Sequence, residues 1–344
     1  MKAIVLEEYN KLVYKDVPDP EIRTDEVLVR IKACGICGSD IHGLDGSTGR
    51  RRPPLIMGHE ASGIIEETGP DVTIWKPGDR VTFDSTVYPL DDWYTREGKY
   101  NLSDKREVLG VSPESYKRNG AFAEYLAVPQ HILYKIPESV TFEQAAMVEA
   151  AAVALHAINI SGTRTGDIAA VAGAGMIGIF VIKLLTISGS GKIIAIDNNP
   201  LSLSGAQKCG AENLFDPSEL NLGDKIRSLS NNRGTDVTFE AAGMSESVNI
   251  SVEITRKGGT VVLIGNTSQV IEFPLQKVVT KELKVMGSCA IRGEYDVILK
   301  LLENRKLTVD DQISVIAPLS EGALWFSKLY SKEENLKKVI LVPS

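Results

Sequence analysis

The spacing of apolar positions changes twice along the chain, and each change marks a different architecture. Up to about residue 136 the apolar residues come in short runs broken by turns. Val27, Val29, Ile31 and Ala33 alternate as the inward face of a half-buried strand does. Pro77-Gly78-Asp79 is a turn leading into Val81-Thr82-Phe83, and Ala121–Val128 predicts another strand, ended by Pro129. This stretch predicts a β-rich, irregular domain whose chemistry sits on loops. At Thr141 the pattern becomes helical: Thr141-Phe142-Glu143-Gln144 is a capping-box sequence, followed by an Ala/Val-rich run to about Ile158.

From Asp167 to about Gly287 the period switches between two and 3.6. Ile168–Ala172, Lys192–Ile196, Val237–Phe239 and Thr260–Ile264 read as buried strands with helical segments between several of them. That order predicts a parallel, doubly wound sheet. The tail, 288–344, shows one helix (about Asp296–Asn304) and a closing strand, Lys338–Leu341. It is too short to be a domain and is expected to return and complete one. The reading is an α/β protein with a catalytic domain over 1–150, a cofactor domain over 151–287, and a tail over 288–344 that rejoins the first.

Length and composition narrow the class. A chain of 344 residues exceeds the size at which one hydrophobic core stops growing, so two domains are expected. Apolar content of 43% and charged content of 24% are those of a soluble globular protein. The net charge of −7 argues against a nucleic-acid or anionic-membrane partner, which would call for a basic face. Arg50-Arg51-Arg52 is a local exception, read either as a solvated loop or as a clamp for a substrate phosphate. The N-terminal run reaches acidic residues too soon for a signal peptide. The most apolar stretch, Ile168–Ile182, is shorter than the roughly 18–20 residues of a membrane span, so a cytoplasmic location is expected.

The candidate chemistry is concentrated in CGICGSDIH (Cys34–His42) and MGHE (Met57–Glu60). The chain has only four cysteines and four histidines, yet Cys37, His59 and Glu60 fall close together. Thiolate, imidazole and carboxylate are ligand types of Zn²⁺, and three protein ligands leave a fourth position open. Cys34 and Cys37 also form a C-x-x-C, but a redox pair of that kind sits beside a βαβ unit rather than after an alternating strand. Cys209 and Cys289 read as buried structural thiols. Glu149 lies in a largely apolar helical stretch, where a carboxylate is costly without a cation or hydrogen-bond partner; a position facing the metal explains it.

Gly173-Ala174-Gly175-Met176-Ile177-Gly178 fits G-x-G-x-x-G between a strand and a helix. The first glycine permits the turn, the second lets the backbone approach a pyrophosphate, and the third allows close helix–strand packing. The helix N-terminus faces the anion. Asp197 closes the next strand, 19 positions after Gly178, where an acid binds the adenosine ribose hydroxyls. Its charge and the following Asn198-Asn199 favour NAD over NADP. The metal would then serve redox chemistry: it lowers the pKa of a hydroxyl placed in its open position, and the cofactor carries the hydride. Ser39, two residues from Cys37, could touch the reacting oxygen, and His42 could hand the proton outward. Asp40 suits a bond to the ligand imidazole that fixes its tautomer.

These motifs, with VEAAAVALHA (Val148–Ala157) and KELKVMGS (Lys281–Ser288), resemble the zinc-dependent medium-chain alcohol/polyol dehydrogenases over essentially the whole chain. The resemblance implies a GroES-like catalytic domain, a Rossmann cofactor domain, one catalytic zinc and NAD. The glutamate after the GH pair and the glutamate in the apolar helix look like the sorbitol (polyol) and sugar-phosphate branch. By resemblance Cys37, His59 and Glu60 are ligands, and Glu149 is either a fourth ligand or the holder of a zinc-bound water. A homodimer or homotetramer is expected on the same ground. Relatives often carry a structural zinc in a C-x₂-C-x₂-C-x₇-C lobe, but here the four positions hold Pro89, Asp92, Thr95 and Ser103. No structural zinc is expected, and the lobe must be held by its own packing, with Trp93, Tyr94 and Tyr100 as candidates, or by a neighbouring subunit. Ala150 stands where relatives commonly have proline.

The expected substrate is a secondary alcohol of a polyol, cyclitol, sugar or sugar phosphate. A glutamate-liganded site is more anionic than one with neutral ligands, and Glu149 suits a polyhydroxylated molecule. The alternatives are a threonine- or butanediol-type dehydrogenase, a non-catalytic dinucleotide-binding regulator, and a zinc-free quinone reductase.

Overall fold

A computed structural model describes residues 1–112, 116–331 and 336–343. The chain divides into two units, Met1–Glu149 with Ile291–Ser344, and Ala150–Ala290. The tail therefore belongs to the first unit, and the division falls inside the helix Val148–Ser161.

The first unit is built on a mostly antiparallel sheet of seven strands. Along its main path lie Leu133–Lys135, Arg80–Phe83, Glu60–Thr68, Glu26–Gly35, Lys338–Val342 and Ile313–Pro318. Tyr125–Pro129 also pairs with Glu26–Gly35. A smaller sheet joins Lys11–Asp16, Lys2–Glu8 and Leu55–Ile56. The alternation noted above is realised: Val27, Val29, Ile31 and Ala33 are buried to 1% exposure or less, the first three in a core shared with Phe83, Phe122, Val339 and Leu341.

Register at the end of the long strand matters for function. Gly35 pairs with Glu60 on one side and Ile340 on the other. A Cβ at Gly35 would lie 2.5 Å from Glu60 Oε2 and 3.4 Å from Lys338 Cδ. The missing side chain thus leaves room for a contact between the two neighbouring strands.

Two expectations shift. The strand expected over Ala121–Val128 is Tyr125–Pro129, because Ala121 and Phe122 are drawn into the loop that closes on Gly58 and Met57. The tail holds more than one helix and one strand: Ile313–Pro318 runs parallel to Lys338–Val342, and a further helix spans Gly322–Ser331. That helix buries Phe326 edge-on to Phe122, with ring centroids 5.5 Å apart.

The second unit carries a six-stranded parallel sheet in the order Asn213–Phe215, Lys192–Ile196, Ile168–Ala172, Thr235–Glu240, Thr255–Leu263, Lys284–Gly287. Reversal of strand order beside the first strand, Ile168–Ala172, is the doubly wound Rossmann arrangement. Near-continuous burial of Ala169–Ala172 and Ile193–Ile196 fits a sheet covered on both faces.

Candidate metal centre and dinucleotide site

The metal-ligand candidates lie at two chain turns of the first unit. Cys37 is the N-cap of the short helix Gly38–Gly43, and its backbone N–H donates to Asp40 Oδ2 at 3.3 Å. Met57–Glu60 turns through Gly58 at φ +97°, where a Cβ would crowd Cys34 Sγ and the Phe122 backbone N at 2.9 Å. Only glycine fits that conformation and that contact. One ligand atom each from Cys37, His59 and Glu60 then lies within 4.8 Å of the others.

The environment suits a zinc ion. His59 and Glu60 are buried, and His59 Nδ1 is buried without a hydrogen bond, facing Asp40 Oδ1 at 3.4 Å. That contact is longer than a hydrogen bond but is an ion-pair distance, and it leaves Nε2 for the metal side. Ser39 Oγ lies 3.5 Å from His59 Nε2. Burial opposes ionisation of Asp40, yet the His59 ring and the Arg51 guanidinium hold its carboxyl well below the usual range. The donor set, a half-buried thiol with a buried imidazole and a buried carboxylate, matches zinc rather than a hard, all-oxygen ion.

Two partners went unrecognised in the sequence. Lys338 Nζ meets Glu60 Oε2 at 2.5 Å, with the side chains 3% and 1% exposed. Burial disfavours the ammonium, but Glu60 and Cys37 together hold it above its usual range. No local signal could have announced a partner 278 positions away; the sheet register supplies it. Arg51 is the second: 2% exposed, its Nη2 donates to Asp40 Oδ1 at 2.8 Å and to Ser39 Oγ at 3.2 Å. The run Arg50–Arg52 is thus neither a solvated loop nor a clamp as a whole, since only Arg50 and Arg52 are exposed.

Glu149 is half-buried near the start of its helix, and its pKa is pushed up to about 7, first by burial and then by the Glu60 carboxylate, with His59 and Lys338 pulling the other way. It therefore feels both Glu60 and His59, as a group facing the centre would. His42 is exposed on the helix that starts at Cys37. Cys34 is a fully buried free thiol, its pKa raised by burial and by the Asp40 and Glu60 charges, and it forms no disulfide with Cys37. Cys209 and Cys289 form no disulfide and are only partly buried, unlike the buried thiols expected.

The lobe without cysteines is held by other means. Asp92 caps the turn Trp93–Arg96 by accepting from the Tyr94 and Thr95 amides at 3.0 and 3.4 Å. Tyr100 stacks on Tyr88 at 4.1 Å, donates to buried Asp84 at 2.8 Å and accepts from the Gly293 amide at 2.8 Å. Trp93 contacts Tyr94 but is 63% exposed, so Tyr100 is the anchor and Trp93 is not.

In the second unit Gly173 takes φ +97° at the strand end, and the helix Met176–Ile187 opens after Gly175. A Cβ at Gly178 would sit 1.9 Å from Gly173 O, so close helix–strand packing needs glycine there. Asp197 accepts from the Ala174 amide at 2.7 Å and the Asn199 amide at 2.8 Å, tying the glycine turn to the second strand. Gly173 and Asp197 line one cavity, with Ile196, Asn198, Ala242 and Met244. Met176 and Ile177 form the first helical turn beside it.

Comparison with known proteins agrees with this geometry. Residues 23–138 match the alcohol dehydrogenase GroES-like domain and residues 177–304 the zinc-binding dehydrogenase domain. The chain is 32% identical to D-xylulose reductase A of Aspergillus oryzae over 95% of its own length and 93% of the relative's. Its fold matches an alcohol dehydrogenase from Thermus sp. ATN1 with a TM-score of 0.94 at 30% identity, each chain covered in full. It also matches galactitol-1-phosphate dehydrogenase of Escherichia coli, with a TM-score of 0.92 at 28% identity and full coverage of both. The chain belongs to the zinc-binding, GroES-like alcohol dehydrogenase family and is a zinc- and NAD-dependent dehydrogenase.

Proposed function

We propose that this enzyme moves a hydride between NAD and a secondary alcohol or ketone of a polyol, cyclitol, sugar or sugar phosphate. The observation that carries the reading is the Cys37–His59–Glu60 set, with His59 and Glu60 buried and Cys37 half-buried, and Ser39 and Glu149 beside it. A xylulose reductase and a galactitol-1-phosphate dehydrogenase among the similar proteins support the substrate class.

Cys37, His59 and Glu60 would hold a zinc ion, which would supply Lewis acidity toward the substrate oxygen. The chain's own residues do the rest. Asp40 orients the His59 ring. Ser39 takes up the proton that leaves the substrate hydroxyl, and His42, exposed on the same helix, passes it to solvent. Glu149 holds a hydrogen bond at the substrate side, where a polyhydroxylated molecule offers donors. Gly173, Gly175 and Gly178, with Met176 and Ile177 at the helix start, admit the pyrophosphate, and Asp197 takes the ribose hydroxyls. Active enzyme is a homodimer or homotetramer acting in the cytoplasm on a small molecule. Among the described residues, no helix is long and apolar enough to cross a membrane.

The test is metal analysis of the purified chain together with NAD⁺ reduction across inositols, hexitols, aldoses, their phosphates, threonine and butanediol. About one zinc per chain with turnover of a polyol or sugar supports the reading. Turnover confined to threonine or butanediol replaces the substrate class. A metal-free chain that reduces quinones refutes the reading.

A further inference from the structure

We propose that Arg51 is a positioning residue of this centre, orienting Ser39 and Asp40 through one shared nitrogen; the inference rests on reading Cys37, His59 and Glu60 as the metal site. The guanidinium is built in rather than laid on. Its side chain is 2% exposed, and Gly43 leaves space for its stem: a Cβ there would lie 2.4 Å from Arg51 Cγ. A buried arginine with a glycine cleared for it is a specific feature of the fold.

Its first effect is on Ser39. A hydroxyl has one O–H and two acceptor lone pairs, and a guanidinium only donates. Arg51 Nη2, 3.2 Å from Ser39 Oγ, fills one lone pair. One lone pair and one proton remain, so Ser39 can accept a single proton and must release its own. Arg51 therefore gives the relay a direction that a free serine would lack. The second effect runs through Asp40. Its Oδ1 is shared by Arg51 at 2.8 Å and His59 Nδ1 at 3.4 Å, while Oδ2 takes the Cys37 amide. One carboxylate thus touches two of the three ligand residues, and Arg51 holds that carboxylate. A lysine keeps the charge, but its ammonium ends one bond short of Nη2, so it cannot reach both oxygens in the same geometry.

Arg51→Lys is the informative variant, because it preserves the charge beside Asp40 and with it the fold, checked by circular dichroism and thermal melting. Holoenzyme of the wild type, R51K, S39A and S39A/R51K would be compared for zinc release to a chelator, for kcat and KM, and for the pH profile of alcohol oxidation. Loss of a group that orients metal ligands costs about 10–100-fold in metal affinity or activity, so R51K should release zinc at least about tenfold more readily, with kcat falling more than KM moves. S39A should cost far less in the R51K background than alone, because the serine there has already lost its direction. Unchanged zinc retention in folded R51K, or a full independent S39A penalty in the double variant, overturns the inference while leaving the metal-site reading intact. A wild-type chain that takes up no zinc overturns both.

Discussion

Replacing Lys338 with methionine should separate the metal-free from the zinc-loaded enzyme. Methionine fills much of the lysine's volume but leaves the Glu60 carboxylate, 1% exposed, without its 2.5 Å counter-charge. Removing one partner of a buried pair costs about 3–5 kcal/mol, because the remaining charge has lost both water and partner. Zinc offers Glu60 a second counter-charge. The full cost should therefore fall on the metal-free form, and only a minor part on the loaded one. For a unit of about 200 residues, 1 kcal/mol corresponds to roughly 2–4 °C, so metal-free K338M should melt roughly 10 °C below metal-free wild type.

The same cycle has a second consequence. If the mutation costs the metal-free form about 3 kcal/mol more than the loaded form, linkage requires that it tighten zinc binding by the same amount, on the order of 100-fold. Calorimetric melting of both proteins in both forms, with zinc titration against a competing chelator, measures all four corners. Equal losses in the two forms, or weaker zinc binding by K338M, would refute the idea that Lys338 and the metal compete for Glu60.

Other consequences are nearer to hand. Asp84, 1% exposed, has its pKa pushed up to about 6 by burial, its hydrogen bonds to Thr86 and Tyr100 notwithstanding. The folded state then binds this proton more tightly than the unfolded chain, so stability should fall by about 3 kcal/mol as pH rises from 4 to 6 and level off above. Asp84→Asn should flatten that part of a pH-dependent urea titration; an unchanged slope would assign it to other groups. Tyr100→Phe removes a hydroxyl bonded to both Asp84 and the Gly293 amide, and should cost about 1–3 kcal/mol by urea midpoint at constant m. Asp197→Ala should raise KM for NAD about tenfold or more with kcat little changed, and narrow the preference over NADP; unaltered cofactor kinetics would remove Asp197 from the site.

What could be read from the sequence was what is local. Strand alternation over Val27–Ala33, the capping box at Thr141 and the strand–glycine turn–helix at 168–187 are each dictated by neighbours a few residues apart. The Cys37, His59 and Glu60 cluster was legible because these ligand types are scarce and stand close in sequence. Lys338 and Arg51 were not legible as partners. A lysine in KKVILV is an ordinary strand start, and an arginine in Arg50–Arg52 is an ordinary polar loop, until register and the Gly43 gap bury them. Tyr100 was visible only as one of several aromatic candidates; its anchoring depends on Asp84 and on Gly293, 193 positions away. The helix Gly322–Ser331 escaped because its apolar residues, among them Trp325 and Phe326, follow no clean stripe.

The buried partners also change the electrostatic argument about substrate. From ligand identity alone, a site with Glu60 and Glu149 looks strongly anionic and hostile to a phosphate. In the structure Glu60 is matched by Lys338 and Asp40 by Arg51, so two of the carboxylates are balanced before any metal is considered. A thiolate at Cys37 and the partly ionised Glu149, whose pKa burial pushes up to about 7, are then the acidic groups left to offset most of a dication's charge. An approximately neutral centre neither repels a sugar phosphate nor attracts one. Discrimination between a polyol and its phosphate must therefore come from outside the ligand set. With Arg51 committed to Asp40, Arg50 is an exposed cation of that run placed to supply it.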